Sequence, residues 1–229
     1  GGSERQVAAA VAATGCTPCV ILLTHGHYDH TGGLLSFYEI NKKAKTYMNN
    51  KASGEYYHGE KYIGNAPGVR DIDTLFLTDG DFKIDDELFL LSGLAGKHPQ
   101  PEGNRELFEK KNGEFVQDDF SHEQCLVITE NGKRTLISGC AHNGILNILD
   151  RFFDVYGSYP DTVISGFHMM KSGEYTACDI ENAEETAHIL KTMPTVFFSG
   201  HCTGQFCFDI MKEIMGDKLL QIHSGDELF

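Results

Sequence analysis

Four times along this chain an apolar, strand-like run stops and a histidine follows within a few residues. The runs are Val20-Ile-Leu-Leu-Thr-His25, Thr135-Leu-Ile-Ser-Gly-Cys-Ala-His142, Thr162-Val-Ile-Ser-Gly-Phe-His168 and Thr195-Val-Phe-Phe-Ser-Gly-His201. Three of them pass through Ser-Gly before the histidine, and glycine there lets the backbone approach closely. In sheets flanked by helices, ligands gather outside the carboxyl ends of the strands. The recurrence therefore predicts four strand-end stations that serve one cleft.

The first station is the densest. Thr24-His-Gly-His-Tyr-Asp-His-Thr-Gly-Gly33 carries His25, His27, Asp29 and His30 within six residues. Imidazole and carboxylate together suit zinc, iron or manganese, and so short a segment cannot wrap one ion with all four groups, which implies two adjacent ions. Solvated loop residues would be the bland alternative, but such a cluster at a strand end has little structural use. Alternation along an extended segment puts His25 and His27 on one side, fit for one ion, and leaves Asp29 and His30 for a second. His142 and His201 are the candidates for the remaining ligands, one per metal. His168 is a weaker metal or substrate contact, because Phe167 intervenes and Met169-Met170 reads equally well as core.

Around these stations the chain reads as alternating helices and strands. Residues 4–15 are Ala-rich and helix-forming, 19–23 strand-like, and 32–40 helical. Strands are expected at 45–48, 74–77, 87–91, 125–129 and 135–137, with Asn131-Gly132 a hairpin signal between the last two. The stretch 53–70 reads as a loop, and 94–124 as a long polar loop or flap. Beyond it come a helix at 144–156 with apolar Ile145, Ile148, Leu149, Phe152 and Tyr156, a strand at 162–165, and a helix at 180–192 capped by Asp179. A strand at 195–198, a helix at 204–215 and a strand at 219–222 complete the reading. One domain over 1–229 is expected, with Gly1-Gly2-Ser3 a linker or tag scar.

Composition narrows the partners. A formal charge of −14 disfavours a nucleic-acid backbone or an anionic membrane, both held largely by Lys and Arg. Bound divalent cations would locally reverse that field, so a small anionic substrate remains compatible. Seven cysteines, an odd number without a signal-peptide pattern, point to a reducing, cytoplasmic setting. No apolar run is long enough to span a bilayer. Cys16-Thr-Pro-Cys19 has thioredoxin-like spacing without the strand-then-helix context, and ordinary thiols are favoured.

His25-Gly-His-Tyr-Asp-His30, with His142 and His201 downstream, resembles the metallo-β-lactamase superfamily. Ser138-Gly-Cys-Ala-His-Asn-Gly144, Gly166-Phe-His168, Gly200-His-Cys-Thr-Gly204 and Ile222-His-Ser-Gly225 look more narrowly like its dihydropterin ribofuranosyl-aminobenzene phosphate synthase-like branch. The resemblance implies an α/β chain (α+β in some schemes) folded as a four-layer αββα sandwich. It implies His25, His27 and His142 on one metal and Asp29, His30 and His201 on the other, zinc first among the candidates. Two departures stand out. Most relatives carry a bridging Asp where this chain has Gly166-Phe167-His168, and relatives place several strands before the first histidine motif. A sheet short of those strands would expose an edge for self-association.

The expected function is a metal-dependent hydrolase acting on a small phosphorylated or ester-type substrate with metal-activated water. Asp29 would orient the water and accept its proton, and His168 would bind substrate or protonate the leaving group. Arg105, in Gly103-Asn-Arg-Glu-Leu-Phe108, is the candidate phosphate clamp. The alternatives are a non-catalytic metal-binding or sensor module and a di-iron redox protein. Against the latter, His27 stands where such proteins place Glu.

Overall fold

The computed structural model describes residues 4–223 and 226–228; the expectation of a tag scar at residues 1–3 lies outside them. The chain forms two compact units, Gly1–Phe82 with Glu106–Gln124, and Lys83–Arg105 with Cys125–Phe229.

The first unit begins with α1 (Glu4–Thr14), which ends at Gly15 in a left-handed conformation. β1 (Val20–Leu22) leads through the single turn α2 (Tyr28–Thr31) and α3 (Leu34–Ile40) to β2 (Lys45–Asn49). β3 (Tyr56–His58) and β4 (Lys61–Tyr62) pair antiparallel, and β5 (Leu75–Thr78) lies parallel to β2. The resulting sheet has the order β1-β2-β5, all parallel. Its middle strand buries Thr46, Tyr47, Met48 and Asn49 in succession, the continuous burial of a parallel strand covered on both faces. Ile21, Leu23, Leu34, Met48, Val69 and Ile72 form the core beside it.

β6 (Phe82–Lys83) and β7 (Leu88–Leu91) follow, and then the chain contributes a second hairpin to the first unit, β8 (Leu107–Lys111) and β9 (Glu114–Gln117). This hairpin builds an antiparallel sheet of order β4-β3-β8-β9. Both irregular stretches expected from the sequence, 53–70 and 94–124, thus contain strands. Within 94–124 the physical reason is the turn Asn112-Gly113, at φ 53° and 88°, whose two left-handed residues match the twist of the flanking strands; within 53–70 it is the pairing of β3 with β4 and with β8.

The second unit continues with β10 (Cys125–Glu130) and β11 (Lys133–Ile137), joined through Asn131-Gly132 in the same left-handed turn. α4 (Ile145–Tyr156), β12 (Thr162–Ser165), α5 (Ala177–Thr192), β13 (Val196–Ser199), α6 (Gln205–Met215) and β14 (Leu219–Gln221) complete it. The sheet order is β14-β13-β12-β11-β10-β7-β6. β11 to β14 run parallel, while β7, β10 and β11 alternate in direction. α4 buries Ile145, Ile148, Leu149 and Phe152 and stops at Gly157, φ 68°. α5 starts earlier than the sequence suggested: Thr176, not Asp179, is its cap. Thr176 accepts from the Asp179 backbone N–H, and the Asp179 carboxylate accepts in return from the Thr176 N–H, a reciprocal capping box. Among the described residues no helix is long and apolar enough to cross a membrane.

Candidate functional site

The first unit holds the His25 station just past β1. His25 is fully buried, and His27 is 4% exposed. The Thr24 hydroxyl lies 3.0 Å from His25 Nδ1, which places the bond-forming tip of the ring at Nε2. His27 serves as the cap residue of α2, its carbonyl accepting from the N–H groups of His30 and Thr31 at 3.0 Å each. That turn gathers the ligand-type side chains. The His25 ring lies 4.8 Å from the His27 ring and 4.1 Å from the His30 ring, and Asp29 Oδ2 sits 3.4 Å from His30 Nε2. Gly26 between the two histidines has no room for a side chain, since a Cβ would press on the Ala52 carbonyl and on Tyr56 Cε2 at 2.9 Å.

Two residues not foreseen from the sequence complete this station. Asp118 and His122 are each 1% exposed and follow β9. The Gly26 N–H donates to His122 Nδ1 at 3.2 Å, so Nδ1 is the acceptor and Nε2 carries the proton that goes to Asp118 Oδ2 at 3.1 Å. The Phe120 N–H donates to the other carboxylate oxygen at 2.8 Å. His27 Nε2 stands 3.9 Å from Asp118 Oδ2. Burial alone would raise the Asp118 carboxyl, but the hydrogen bond from His122, the nearby His27 side chain and the Phe120 N–H outweigh it and hold the group well below the usual carboxylate range. Burial likewise pushes the His27 imidazole down, partly offset by Asp118, so the ring is neutral at pH 7. A neutral imidazole backed by a carboxylate is the form that binds metal, and the carboxylate fixes which nitrogen faces the ion.

Gln124 fastens the segment in place. Its N–H donates to the Thr24 carbonyl and its side-chain amide to the Leu23 carbonyl, both at 2.8 Å, and it accepts from Thr78 at the end of β5 at 3.0 Å. The extension of β1 into the histidine motif is therefore tied to a segment about a hundred residues away.

In the second unit, His142 is 1% exposed beyond β11. The Asn104 side-chain amide donates to the His142 carbonyl at 2.7 Å, which turns its Oδ1 toward His142 Nδ1 at 2.9 Å. Nδ1 is thus protonated and Nε2 bears the lone pair. Arg105, beside Asn104, lies at the surface with its side chain 78% exposed and ion-paired to Glu102 at 2.8 Å. His168 follows β12 at φ 50°, its ring 4.2 Å from that of His142. His201, after β13, is exposed and at φ 49°. Phe167 is core rather than site: it is 1% exposed, with its N–H donating to the Thr203 hydroxyl at 2.9 Å.

Buried Cys140 and Cys202 flank these histidines. Hydrogen bonding with Cys140 is the largest influence on the Cys202 thiol; burial opposes it, and His168 and His201 act in the same direction as Cys140, leaving the thiol well below its ordinary value.

The residues present fit divalent metal binding, because His25 and His142 each have one ring nitrogen engaged by a polar neighbour in the manner of a metal ligand's outer contacts. A family model described as the metallo-beta-lactamase superfamily matches residues 1–179. The chain is 25% identical over 221 residues to the 7,8-dihydropterin-6-methyl-4-(beta-D-ribofuranosyl)-aminobenzene-5'-phosphate synthase of Methanocaldococcus jannaschii, covering 90% of this chain and 73% of that protein. Among solved structures it is similar to Tm1679, described as a metal-dependent hydrolase of the beta-lactamase superfamily, with TM-score 0.79 and 29% identity over 96% of this chain and 82% of the other. A variant of the CmlA beta-hydroxylase shares the fold alone, with TM-score 0.52 and 11% identity over 89% of this chain and 43% of that one.

Proposed function

The chain belongs to the metallo-beta-lactamase superfamily, and from that premise we propose that it is a metal-dependent hydrolase acting on a small phosphorylated or ester-type substrate. The observation that carries this reading is the preparation of the imidazoles: His142 is held by Asn104 with its lone pair on Nε2, and His25 and His27 are buried beside Thr24 and Asp118. The proposed ligands are His25, His27, Asp29 and His30 of the first unit and His142 and His201 of the second. A bound divalent ion, zinc first among the candidates, supplies a Lewis acid and a water acidic enough to give hydroxide near neutral pH.

The chain's own residues do the rest. Asp29, with its carboxylate against His30, orients the water and accepts its proton. Burial keeps His27 neutral, and Asp118, 3.9 Å from His27 Nε2, helps hold the ring in one orientation. The phosphorylated substrate class is carried over from the name of the Methanocaldococcus relative. A cytoplasmic setting is part of the same reading, supported by the chain's seven cysteines.

The test is metal content together with turnover on a panel of phosphomonoesters, phosphodiesters and lactones, for the unaltered chain and for His25→Ala and His142→Ala. The expected result is bound metal and hydrolysis in the first, with hydrolysis lost, metal content lowered and the far-UV circular dichroism kept in each variant. Metal binding with no hydrolysis across the panel would favour a sensor module, and stoichiometric iron with oxygen consumption would favour redox chemistry.

A further inference from the structure

Three neighbouring parallel strands of the second unit, β11, β12 and β13, end at Ile137, Ser165 and Ser199. Three residues past each end stands Cys140, His168 or Cys202. The matching offsets, together with the paired registers Ile137 with Ile164 and Ser165 with Ser199, bring the three side chains into one cluster. The two sulfurs and a ring nitrogen of His168 all lie within 4.8 Å of one another. Cys140 and Cys202 are 4% and 5% exposed.

We propose that Cys140, His168 and Cys202 form a metal site for a soft or borderline cation, Zn²⁺ or Cu⁺ in class, with two thiolates, one imidazole and an open fourth position. The reading goes beyond the hydrolase ligand set, which contains neither cysteine, and gives His168 a ligand role in place of the substrate or leaving-group role expected from the sequence. Three observations support it. Both ring nitrogens of His168 are shielded from solvent and neither makes a hydrogen bond outside this cluster, a costly arrangement for an imidazole unless something within the cluster engages it. Tetrahedral zinc, with Zn–S near 2.3 Å and Zn–N near 2.0 Å, needs donors roughly 3.5–3.8 Å apart, inside the spread of this cluster. The backbone is also shaped around the sulfur: a Cβ on Gly166 would come 2.5 Å from Cys202 Sγ, so only glycine leaves the thiol its place.

Local strain points the same way. His168, and Ala141 and His201 beside the two cysteines, all take left-handed backbone conformations, at φ 50°, 55° and 49°. For side-chain-bearing residues that conformation is strained, and such strain concentrates where function demands it. The hydrogen bonds from Phe167 N–H to Thr203 and from Met170 N–H to the Cys202 carbonyl, at 2.9 and 2.8 Å, hold the His168 and Cys202 loops together.

The experiment is titration of the reduced, metal-stripped chain with Co²⁺, reading the thiolate-to-cobalt charge-transfer absorption in the near ultraviolet, and with ¹¹³Cd²⁺, reading the strongly deshielded shift of thiolate-bound cadmium. It is run on the unaltered chain, on Cys16→Ser/Cys19→Ser to remove the exposed pair, on Cys140→Ser/Cys202→Ser, on His168→Gln, and on His25→Ala/His27→Ala. Both signatures are expected in the unaltered chain, the Cys16/Cys19 variant and the His25/His27 variant. They should vanish in Cys140→Ser/Cys202→Ser, and cobalt affinity should fall by more than the roughly 10- to 100-fold that loss of an outer contact alone causes in His168→Gln. Absence of both signatures in the unaltered chain would overturn the site whether or not any variant folds. So would their survival without Cys140 and Cys202, or their loss in His25→Ala/His27→Ala, which would make the thiols mere neighbours of another ion. Failure of the hydrolase reading leaves these signatures untouched, so the two outcomes are distinguishable.

Discussion

Asp118 accepts from His122 Nε2–H and from the Phe120 N–H while buried at 1% exposure, so its removal strands two donors away from water. Asp118→Ala should therefore lower stability by about 1–3 kcal/mol, read as a shift in the urea midpoint, and should also weaken metal binding through His27. A variant as stable as the parent would show that water replaces the carboxylate there. Neither Asp118 nor His122 was legible beforehand, because both sit in a polar run that looked like a flap. A signal was present in the Asp-x-x-x-His spacing, but its partner Gly26 lies 96 residues away from His122, and nothing local in the sequence connects them. His25, His27, Asp29 and His30 were legible because they crowd one strand end. Arg105 lies at the surface paired to Glu102, and it is its neighbour Asn104 that engages His142, its amide donating to the His142 carbonyl and accepting from Nδ1.

At the scale of elements, α5 depends on its capping box. Thr176→Ala should cost about 1 kcal/mol, with a range of roughly 0.5–2, in thermal or urea unfolding. Asp179 accepts from the Lys171 ammonium and from Thr176, and these hydrogen bonds lower its carboxyl to about 2. The folded value is depressed, so its stabilisation is complete above the unfolded carboxyl value near 3.9 and is lost as pH falls through about 2. Unfolding of the parent and of Asp179→Asn should differ above about pH 4 and converge toward pH 2; a difference unchanged across that window would mean the charge is not what matters. The strands and helices from 125 onward were readable from periodicity and from Asn131-Gly132. Asn112-Gly113 offered the same turn signal for β8 and β9, yet the flanking Leu107–Lys111 is too charged and Glu114–Gln117 too short to look like strands. Their only buried position is Leu107, and pairing with β3 supplies what apolar alternation does not.

For the whole molecule, a metal that binds only the folded chain must raise its stability. At a free zinc concentration a hundredfold above the dissociation constant the gain is about 2.7 kcal/mol, which should appear as a later melting transition reversed by a chelator. A melting curve indifferent to both metal and chelator would count against the metalloenzyme reading. The sequence by itself determined the α/β class, the order of most elements and the histidines at strand ends, because strand periodicity and the first residues beyond a strand are set within a few bonds of each other. Tertiary structure alone decided which groups engage those histidines. It brought Asp118 and His122 to Gly26 and His27, Asn104 to His142, and Cys140 and Cys202 to His168. Those meetings rest on sheet order and packing between segments distant in the chain, and residue spacing carries no record of either.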